Sequence, residues 1–108
     1  MAEAIAAPAG SPSPSSHVIE LGGDIDLDNA TAIGDALCNG LHRHRAPITV
    51  DLTWVTFIDS TAISMMVRVH NYGETLHRPV TWRGAQGRAI DVLKITGVDQ
   101  LLHLENTS

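Results

Sequence analysis

Apolar and polar residues along this chain follow two periodicities, and the changes between them predict its elements. Short runs rich in β-branched residues predict strands. Three such runs are His17–Leu21, Ile48–Leu52 and Pro79–Trp82. Gly22 and Gly23 loosen the backbone after the first run. A further apolar run, Trp54–Ile58, follows the second and ends abruptly at Asp59.

Apolar residues at spacings of three and four predict three helices between and after the strands. The first helix carries its apolar stripe at Ala32, Ile33, Ala36, Leu37 and Leu41. The side chain of Asp28 or Asn29 is expected to cap its start. The second helix runs from Ala62 onward, and the third, around Ala89–Lys94, ends at Gly97, where a left-handed glycine commonly closes a helix.

The resulting order is strand, helix, strand, helix, strand, helix, with a short strand possible near the C-terminal end. Such alternation is typical of α/β proteins, in which helices pack on a largely parallel sheet. We therefore predict one α/β domain over residues 17–108, with a small, mostly parallel mixed sheet of about four strands.

Composition supports a single folded domain with a tail. The chain has 108 residues, enough for one compact domain and too few for two. Its apolar fraction of 44% and charged fraction of 18% are ordinary for a globular protein. Residues 1–16 are rich in Ala, Pro and Ser and offer little to bury, so a disordered tail is expected there.

Charge and cysteine content narrow the class of protein. A net charge of -5 without a basic stripe argues against a nucleic-acid partner. The single cysteine, Cys38, cannot form an internal disulfide and is typical of a reducing compartment. No apolar run approaches the roughly 20 residues that cross a bilayer, and the first residues lack the pattern of a secretory signal. We expect a cytoplasmic protein without membrane insertion.

The most informative segment is the passage from the apolar run into the second helix, at Asp59 and Ser60. Amides in the first turn of a helix have no partner within it, and the helix dipole places partial positive charge there. A hydroxyl at this position is expected to be exposed. A phosphate attached to it would be stabilised in part by the free backbone N–H groups.

This segment and three others resemble a known family. The four are Leu21–Asp26, Val50–Leu52, Phe57–Ala62 and Leu93–Val98. In this order and spacing, the chain from about Val18 to Leu104 resembles a STAS domain. Within that superfamily it is most similar to the bacterial anti-sigma factor antagonists. The resemblance implies the STAS-type fold, a small sheet packed with helices.

The resemblance also implies a binding module without catalysis of its own. Such antagonists bind an anti-sigma factor, often a serine kinase, and release the sigma factor that it holds. The kinase phosphorylates a serine that corresponds to Ser60, in preference to Thr61 in the second hydroxyl position, and a phosphatase reverses the step. Transcription would thus be regulated by partner switching. No catalytic residue, cofactor or metal is expected, and self-association stays open.

The expected partner surface surrounds the acceptor serine. It contains Asp24, Asp26, Asp59, Ser60, Thr61, Ala62 and Ile63. The family carries a glycine where this chain has Ala62, and the added methyl group is expected to hinder a kinase. Family members also begin with an extra strand, for which the tail offers only residues near Ala4–Ala7.

Simpler interpretations exist for these residues. Asp59 and Ser60 would serve only as a helix cap, and Asp24 and Asp26 only as turn residues. His42, His44, His70 and His77 are interpreted as surface or packing residues, because zinc needs three or four converging ligands.

Two other functions compete with the switch. The first keeps the fold: a non-phosphorylated STAS adaptor, such as a cytosolic subunit of a lipid-transport ABC system. The second is a serine hydrolase using Ser60, against which the absence of a Gly-x-Ser-x-Gly elbow argues.

Overall fold

The computed structural model describes residues 17–44 and 47–105, in which strands and helices alternate. The strands are β1 (His17–Ile25), β2 (Ile48–Ile58), β3 (Val80–Arg83) and β4 (His103–Glu105). The helices are α1 (Ala30–Arg43), α2 (Ser60–Thr75) and α3 (Gly87–Thr96), with a short 3₁₀ helix at Val98–Gln100. The tail predicted at 1–16, with its candidate strand near Ala4–Ala7, lies outside the described residues.

The strands form one sheet in the order β1-β2-β3-β4, and each adjacent pair is parallel. Each helix is the crossover that lets the next strand run in the same direction. The predicted α/β fold is confirmed. The described part of the sheet is wholly parallel where a mixed sheet was expected, so the carboxyl ends of its strands share one edge.

Alternation along β2 shows which face of the sheet carries the core. Ile48, Val50 and Leu52 are buried, whereas Asp51 on the opposite face is half-buried. Trp82 of β3 is in register with Val50 and is completely buried. Burial of such side chains contributes about 1.5–3 kcal/mol each. The contact of this face with the helices is therefore the main source of stability.

β2 is one strand of 11 residues, where the sequence pattern indicated two separate runs. It continues because β1 continues beside it, passing through Gly22 and Gly23. The pairing contains two register shifts, one between Glu20 and Gly22 and one between Gly23 and Asp24. Gly23 has φ 75°, a conformation that glycine adopts without strain. The two glycines thus bend β1 without ending it.

Helix α1 approaches α2 closely at Gly34. A Cβ atom on Gly34 would lie 2.7 Å from Cγ of Met65, so the packing requires a residue without a side chain. The predicted apolar stripe of α1 is only partly buried. Ile33, Leu37 and Leu41 are buried, whereas Ala32 and Ala36 are exposed.

Of the two helix caps predicted from the sequence, one is confirmed and the other is wrong. Gly97 closes α3 with φ 78°, as predicted. Asn29 precedes α1, but its side chain does not cap the helix. Its Oδ1 accepts from the amide of Asp26 at 2.9 Å, and its Nδ2 donates to the carbonyl oxygen of Asp24 at 2.9 Å. Asn29 therefore stabilises the loop before the helix.

Asp51 joins β2 to β3 on the half-buried face of the sheet. Its Oδ1 accepts from the amide of Thr53 at 2.9 Å and from the Thr53 hydroxyl at 2.5 Å. Its Oδ2 lies 3.6 Å from Nη2 of Arg83. Burial acts to raise the pKa of Asp51, but the Thr53 hydrogen bonds and the Arg83 charge outweigh it and hold that pKa below its ordinary value.

Asp51→Asn is expected to lower the free energy of unfolding by about 1–2 kcal/mol at pH 7, because charged hydrogen bonds are lost. The pKa of Asp51 is lowered by folding, so its contribution is complete above the unfolded pKa and disappears as pH falls through the folded one. Urea unfolding at several pH values should show parent and variant converging in acid. Asp91→Asn, at an exposed carboxylate of α3, is the control; a constant difference between parent and Asp51→Asn would contradict the assignment.

Candidate functional site

The carboxyl ends of β1 and β2 bring two loops together. Ile25 and Ile58, the last residues of these strands, are register partners. The chain therefore leaves both strands at the same level of the sheet. The β1–α1 loop, residues 26–29, lies beside the turn at Asp59 that begins α2. Parallel strands commonly place functional loops at this edge.

Asp59 connects the two loops through its carboxylate. Its Oδ1 accepts from the amide of Ala62 at 2.9 Å, which is the N-cap bond of α2. Its Oδ2 accepts from the amide of Leu27 at 3.2 Å. The amide of Asp59 itself donates to the carbonyl oxygen of Ile25 at 3.3 Å. We call this arrangement the Asp59 clamp, because one side chain holds the start of α2 against the β1–α1 loop.

Ser60 is the first residue of α2, and its side chain is exposed. The Asp59 clamp uses the amide of Ala62, and the amide of Ile63 donates to the carbonyl oxygen of Asp59. The amides of Ser60 and Thr61 have no acceptor among residues 17–44 and 47–105. These two donors and the N-terminal end of the helix dipole give the position of Ser60 partial positive charge.

Ala62 and Ile63 differ in what they offer to a partner. Ala62 is 0% exposed, so its methyl group lies in the core. It presents no side-chain surface to a partner, and it cannot block access to the Ser60 hydroxyl. The steric hindrance expected from an alanine at this position is therefore not seen. Ile63 is half-buried against the core, and Thr61 is half-buried as well.

Asp24, at the end of β1, and Asp26, in the β1–α1 loop, both accept hydrogen bonds within the protein. Asp24 is exposed, and its Oδ1 accepts from the hydroxyl of Thr56 on β2 at 2.6 Å. Asp26 is half-buried, and its Oδ1 accepts from the amide of Asp28 at 3.0 Å, which closes a tight turn. The Asp26 carboxylate thus shapes the loop that the Asp59 clamp holds in place, and the Asp24 carboxylate joins the end of β1 to β2.

Three exposed apolar side chains lie on the β1–α1 loop and on the last part of β2, and they were not singled out from the sequence as contact residues. They are Leu27, Trp54 and Phe57, which are 75%, 69% and 37% exposed. Leu27 is attached to the Asp59 clamp by its amide, and Phe57 is the register partner of Asp24. The signal in the sequence was Leu27 itself, a single large apolar residue in an otherwise acidic loop. We call these three residues the apolar rim.

A shallow depression lies next to the site, between α1 and α2. Its volume is about 170 Å³, and it is lined by Thr31, Thr61, Ser64, Met65 and Arg68. Arg68 spans the two helices, since its Nη2 lies 3.2 Å from Oδ1 of Asp35. This surface extends the exposed area around Thr61 along the helix pair.

No hydrogen bond joins the Ser60 hydroxyl to a histidine in the part of the chain that the structure describes. A serine nucleophile needs such a base to be activated.

Within the same residues, no helix has the length and apolar character needed to cross a membrane.

Comparison with known proteins places this chain in a family. The family model described as "Mlab, STAS domain" matches residues 11–103. No curated protein matches the chain significantly.

Solved structures with the same fold include several regulators. An anti-sigma factor antagonist from Mycobacterium paratuberculosis has a TM-score of 0.75 at 22% identity, over 90% of this chain and 82% of that one. SpoIIAA of Bacillus in its phosphorylated form has a TM-score of 0.67 at 13% identity, over 91% and 87%. A serine-to-glutamate variant of RsbS from Moorella thermoacetica has a TM-score of 0.73 at 12% identity, over 96% and 86%. At these identities the likeness shows the fold.

Asp59→Ala is expected to lower the free energy of unfolding by about 1–2 kcal/mol, because α2 loses its N-cap. It should also increase hydrogen exchange at the amide of Leu27, which loses its acceptor. Chemical denaturation and amide exchange measure the two effects. Asp28→Ala, at an exposed carboxylate of the same loop, is the control and should change neither quantity. Unchanged exchange at Leu27 in Asp59→Ala would mean that the clamp does not hold the loop.

Proposed function

This chain belongs to the STAS domain family, and we propose that it acts as an anti-sigma factor antagonist. In this proposal it binds an anti-sigma factor that is a serine kinase, and thereby releases a sigma factor. Phosphorylation at Ser60 ends the complex, and a phosphatase restores it. The chain is a binding module and kinase substrate in the cytoplasm of a bacterium, with no reaction of its own.

One observation carries the proposal: a solvent-exposed hydroxyl stands at the start of α2, and the strand and loop that adjoin this start carry the exposed apolar rim. Aromatic residues are enriched in protein interfaces, and truncating one commonly costs more binding energy than truncating a small side chain. Trp54 and Phe57 are two of only four aromatic Phe, Trp and Tyr residues in the chain. Their exposure on the strand that leads into α2 supports a protein partner at this edge of the sheet.

The phosphorylation step would transfer the γ-phosphoryl group of ATP to the Ser60 oxygen. The hydroxyl proton is lost, and ADP leaves. The product carries about -1.5 to -2 additional charges close to the carboxylate of Asp59. A partner surface that fits a neutral hydroxyl would then meet a doubly charged group that it cannot solvate. Because about 1.4 kcal/mol changes affinity tenfold, a modest penalty is enough to release the partner.

The local geometry is compatible with a phosphate on Ser60. The amides of Ser60 and Thr61 are available as donors, which stabilises an anion without rearrangement of α2. The buried methyl group of Ala62 leaves the approach to Ser60 open. Both features support a phosphate at Ser60. Ser60 is exposed whereas Thr61 is half-buried, which favours Ser60 as the modified residue.

A second candidate function keeps the fold and omits the switch. The matching family model carries the name Mlab in its description and no reference to sigma factors. This observation favours a non-phosphorylated STAS adaptor, such as a cytosolic subunit of a lipid-transport ABC system. The apolar rim would then bind a transport subunit, and Ser60 would act only as a residue in the first turn of α2.

The two candidates are separated by one experiment. The chain is incubated with ATP and each purified anti-sigma serine kinase encoded in the genome of its source organism, and phosphosites are mapped by mass spectrometry. The switch predicts a phosphate on Ser60 and none on a Ser60→Ala variant. An adaptor would gain no phosphate from any of these kinases, and the Ser60→Ala variant would bind its partner as the parent does.

Ser60→Glu is expected to weaken binding of the kinase partner at least tenfold, because it places a negative charge where the partner meets a neutral hydroxyl. Ser60→Ala should retain binding and resist release by ATP. Titration calorimetry measures both affinities. Thr75→Glu adds the same charge at an exposed position in the last turn of α2 and should have little effect. Equal affinity of Ser60→Glu and the parent would refute the charge mechanism.

Trp54→Ala is expected to weaken partner binding by about 2 kcal/mol or more, as truncation of central aromatic contacts does. The free energy of unfolding should change little, since Trp54 is largely exposed. Calorimetry and urea denaturation on the same samples separate the two effects. Ile95→Ala is the control, because Ile95 is 84% exposed on α3. Full binding by Trp54→Ala would exclude the apolar rim from the interface.

A further inference from the structure

A second group of functional side chains lies toward the other end of α2. His70 and Glu74 are four residues apart on this helix, so they lie on the same face, one turn apart. His103, the first residue of β4, brings a third group from a distant part of the chain. One potential ligand atom from each of the three residues lies within 4.8 Å of the other two.

His70 is the unusual member of this group. It is 6% exposed, and among the residues that the structure describes it is the buried polar side chain of an otherwise apolar core. Its Nδ1 is buried and has no hydrogen-bond partner within the described residues. Nearly all buried polar atoms in proteins are hydrogen-bonded, so this nitrogen requires an explanation. The His70 ring also lies beside that of His103, with 5.1 Å between the ring centroids.

Glu74 and His103 are half-exposed and already in contact. Nε2 of His103 lies 3.0 Å from Oε2 of Glu74. As a surface ion pair this contact would contribute little to stability. It would also leave the burial of the third residue, His70, without a cause. A role shared by all three residues accounts for the cluster better than a surface pair does.

We propose that His70, Glu74 and His103 bind a divalent transition-metal ion, with zinc as the ion that this ligand set fits. Imidazole nitrogens and a carboxylate oxygen are ordinary zinc ligands. In a tetrahedral site with metal–ligand distances of about 2.0–2.1 Å, two ligand atoms are about 3.3 Å apart. The His103–Glu74 separation of 3.0 Å is close to this value. A net charge of -5 also favours a cation over an anion.

The fourth position of the site faces a surface depression. This depression has a volume of about 420 Å³ and is lined by Glu74, His77, Pro79 and His103. It gives an ion access from solvent and leaves space for a water ligand. His77 lines the same depression, so its imidazole is a protein group that this depression offers as a fourth ligand. Three protein ligands and one open position form a recognised type of zinc coordination.

Metal binding would have a structural consequence in this fold. β4 has three residues, it lies at the edge of the sheet, and its first residue is His103. An ion held by His70, Glu74 and His103 would attach this strand to α2, and a ligand that binds only the folded state stabilises it. No metal site was expected from the sequence, because zinc needs three or four converging ligands. The sheet order that brings His103 close to α2 is not visible in the spacing of the histidines.

The test uses the full chain without an affinity tag, after treatment with a chelator. Titration with zinc chloride, followed by calorimetry, should show one ion per chain, and the unfolding temperature should rise with zinc concentration. Glu74→Gln and His103→Ala should each weaken binding at least tenfold and lose most of this rise. Both residues are half-exposed, so both variants are expected to fold. His42→Ala, at an exposed histidine of α1, is the control and should bind zinc as the parent does.

Nitrogen NMR of the histidine side chains provides a measurement that does not alter the buried ligand. Zinc should shift the imidazole ¹⁵N signals of His70 and His103 and leave those of His42 and His44 unchanged. The proposal is overturned if the parent does not bind one zinc ion, if the two ligand variants bind as the parent does, or if the His70 signals do not move. These outcomes are independent of binding and phosphorylation at Ser60.

Discussion

The geometry of the candidate site depends on the carboxylate of Asp59. One oxygen caps α2 and the other holds the amide of Leu27, so a single side chain fixes the helix start and the β1–α1 loop relative to each other. The register pairing of Ile25 with Ile58 makes this possible, because both strands end at the same level. Without the clamp, the β1–α1 loop that carries Leu27 would lose its side-chain bond to the start of α2, and a partner would have to order that loop.

The fixed position of the loop and the helix start affects how strongly a phosphate on Ser60 would change partner binding. If the partner binds a preformed surface, little binding energy is lost to ordering the loops, and more of it depends on the groups in contact. A phosphate on Ser60 would then act directly on the interface. The apolar rim would supply affinity and the hydroxyl would supply control, since apolar burial does not respond to phosphorylation whereas a desolvated charge does.

The sequence alone was sufficient to predict the features that depend on interactions between residues near each other in the chain. Gly97 closes α3 as predicted, and the alternation of elements gave the α/β class, because caps and periodicity act over a few residues. Features that depend on tertiary contact were not predictable. Asn29 turns to the preceding loop, and Trp54 is exposed on a strand that continues only because β1 continues beside it. His103 lies close to α2 because of the position of β4 in the strand order of the sheet. The spacing of residues along the sequence does not indicate that order.

The two ends of helix α2 carry the two proposed sites, one suited to an anion and the other to a cation. Its N-terminal end, at Ser60, offers free amides and suits an anion, whereas His70 and Glu74 lie toward its C-terminal end, where the helix dipole favours a cation. Ten residues separate Ser60 from His70, which corresponds to about 15 Å along a helix. This is well beyond the Debye length of about 8 Å at physiological ionic strength. Charge at one end should therefore be largely screened from the other, so that a metal ion would act on the stability of β4 while phosphorylation acts on partner binding.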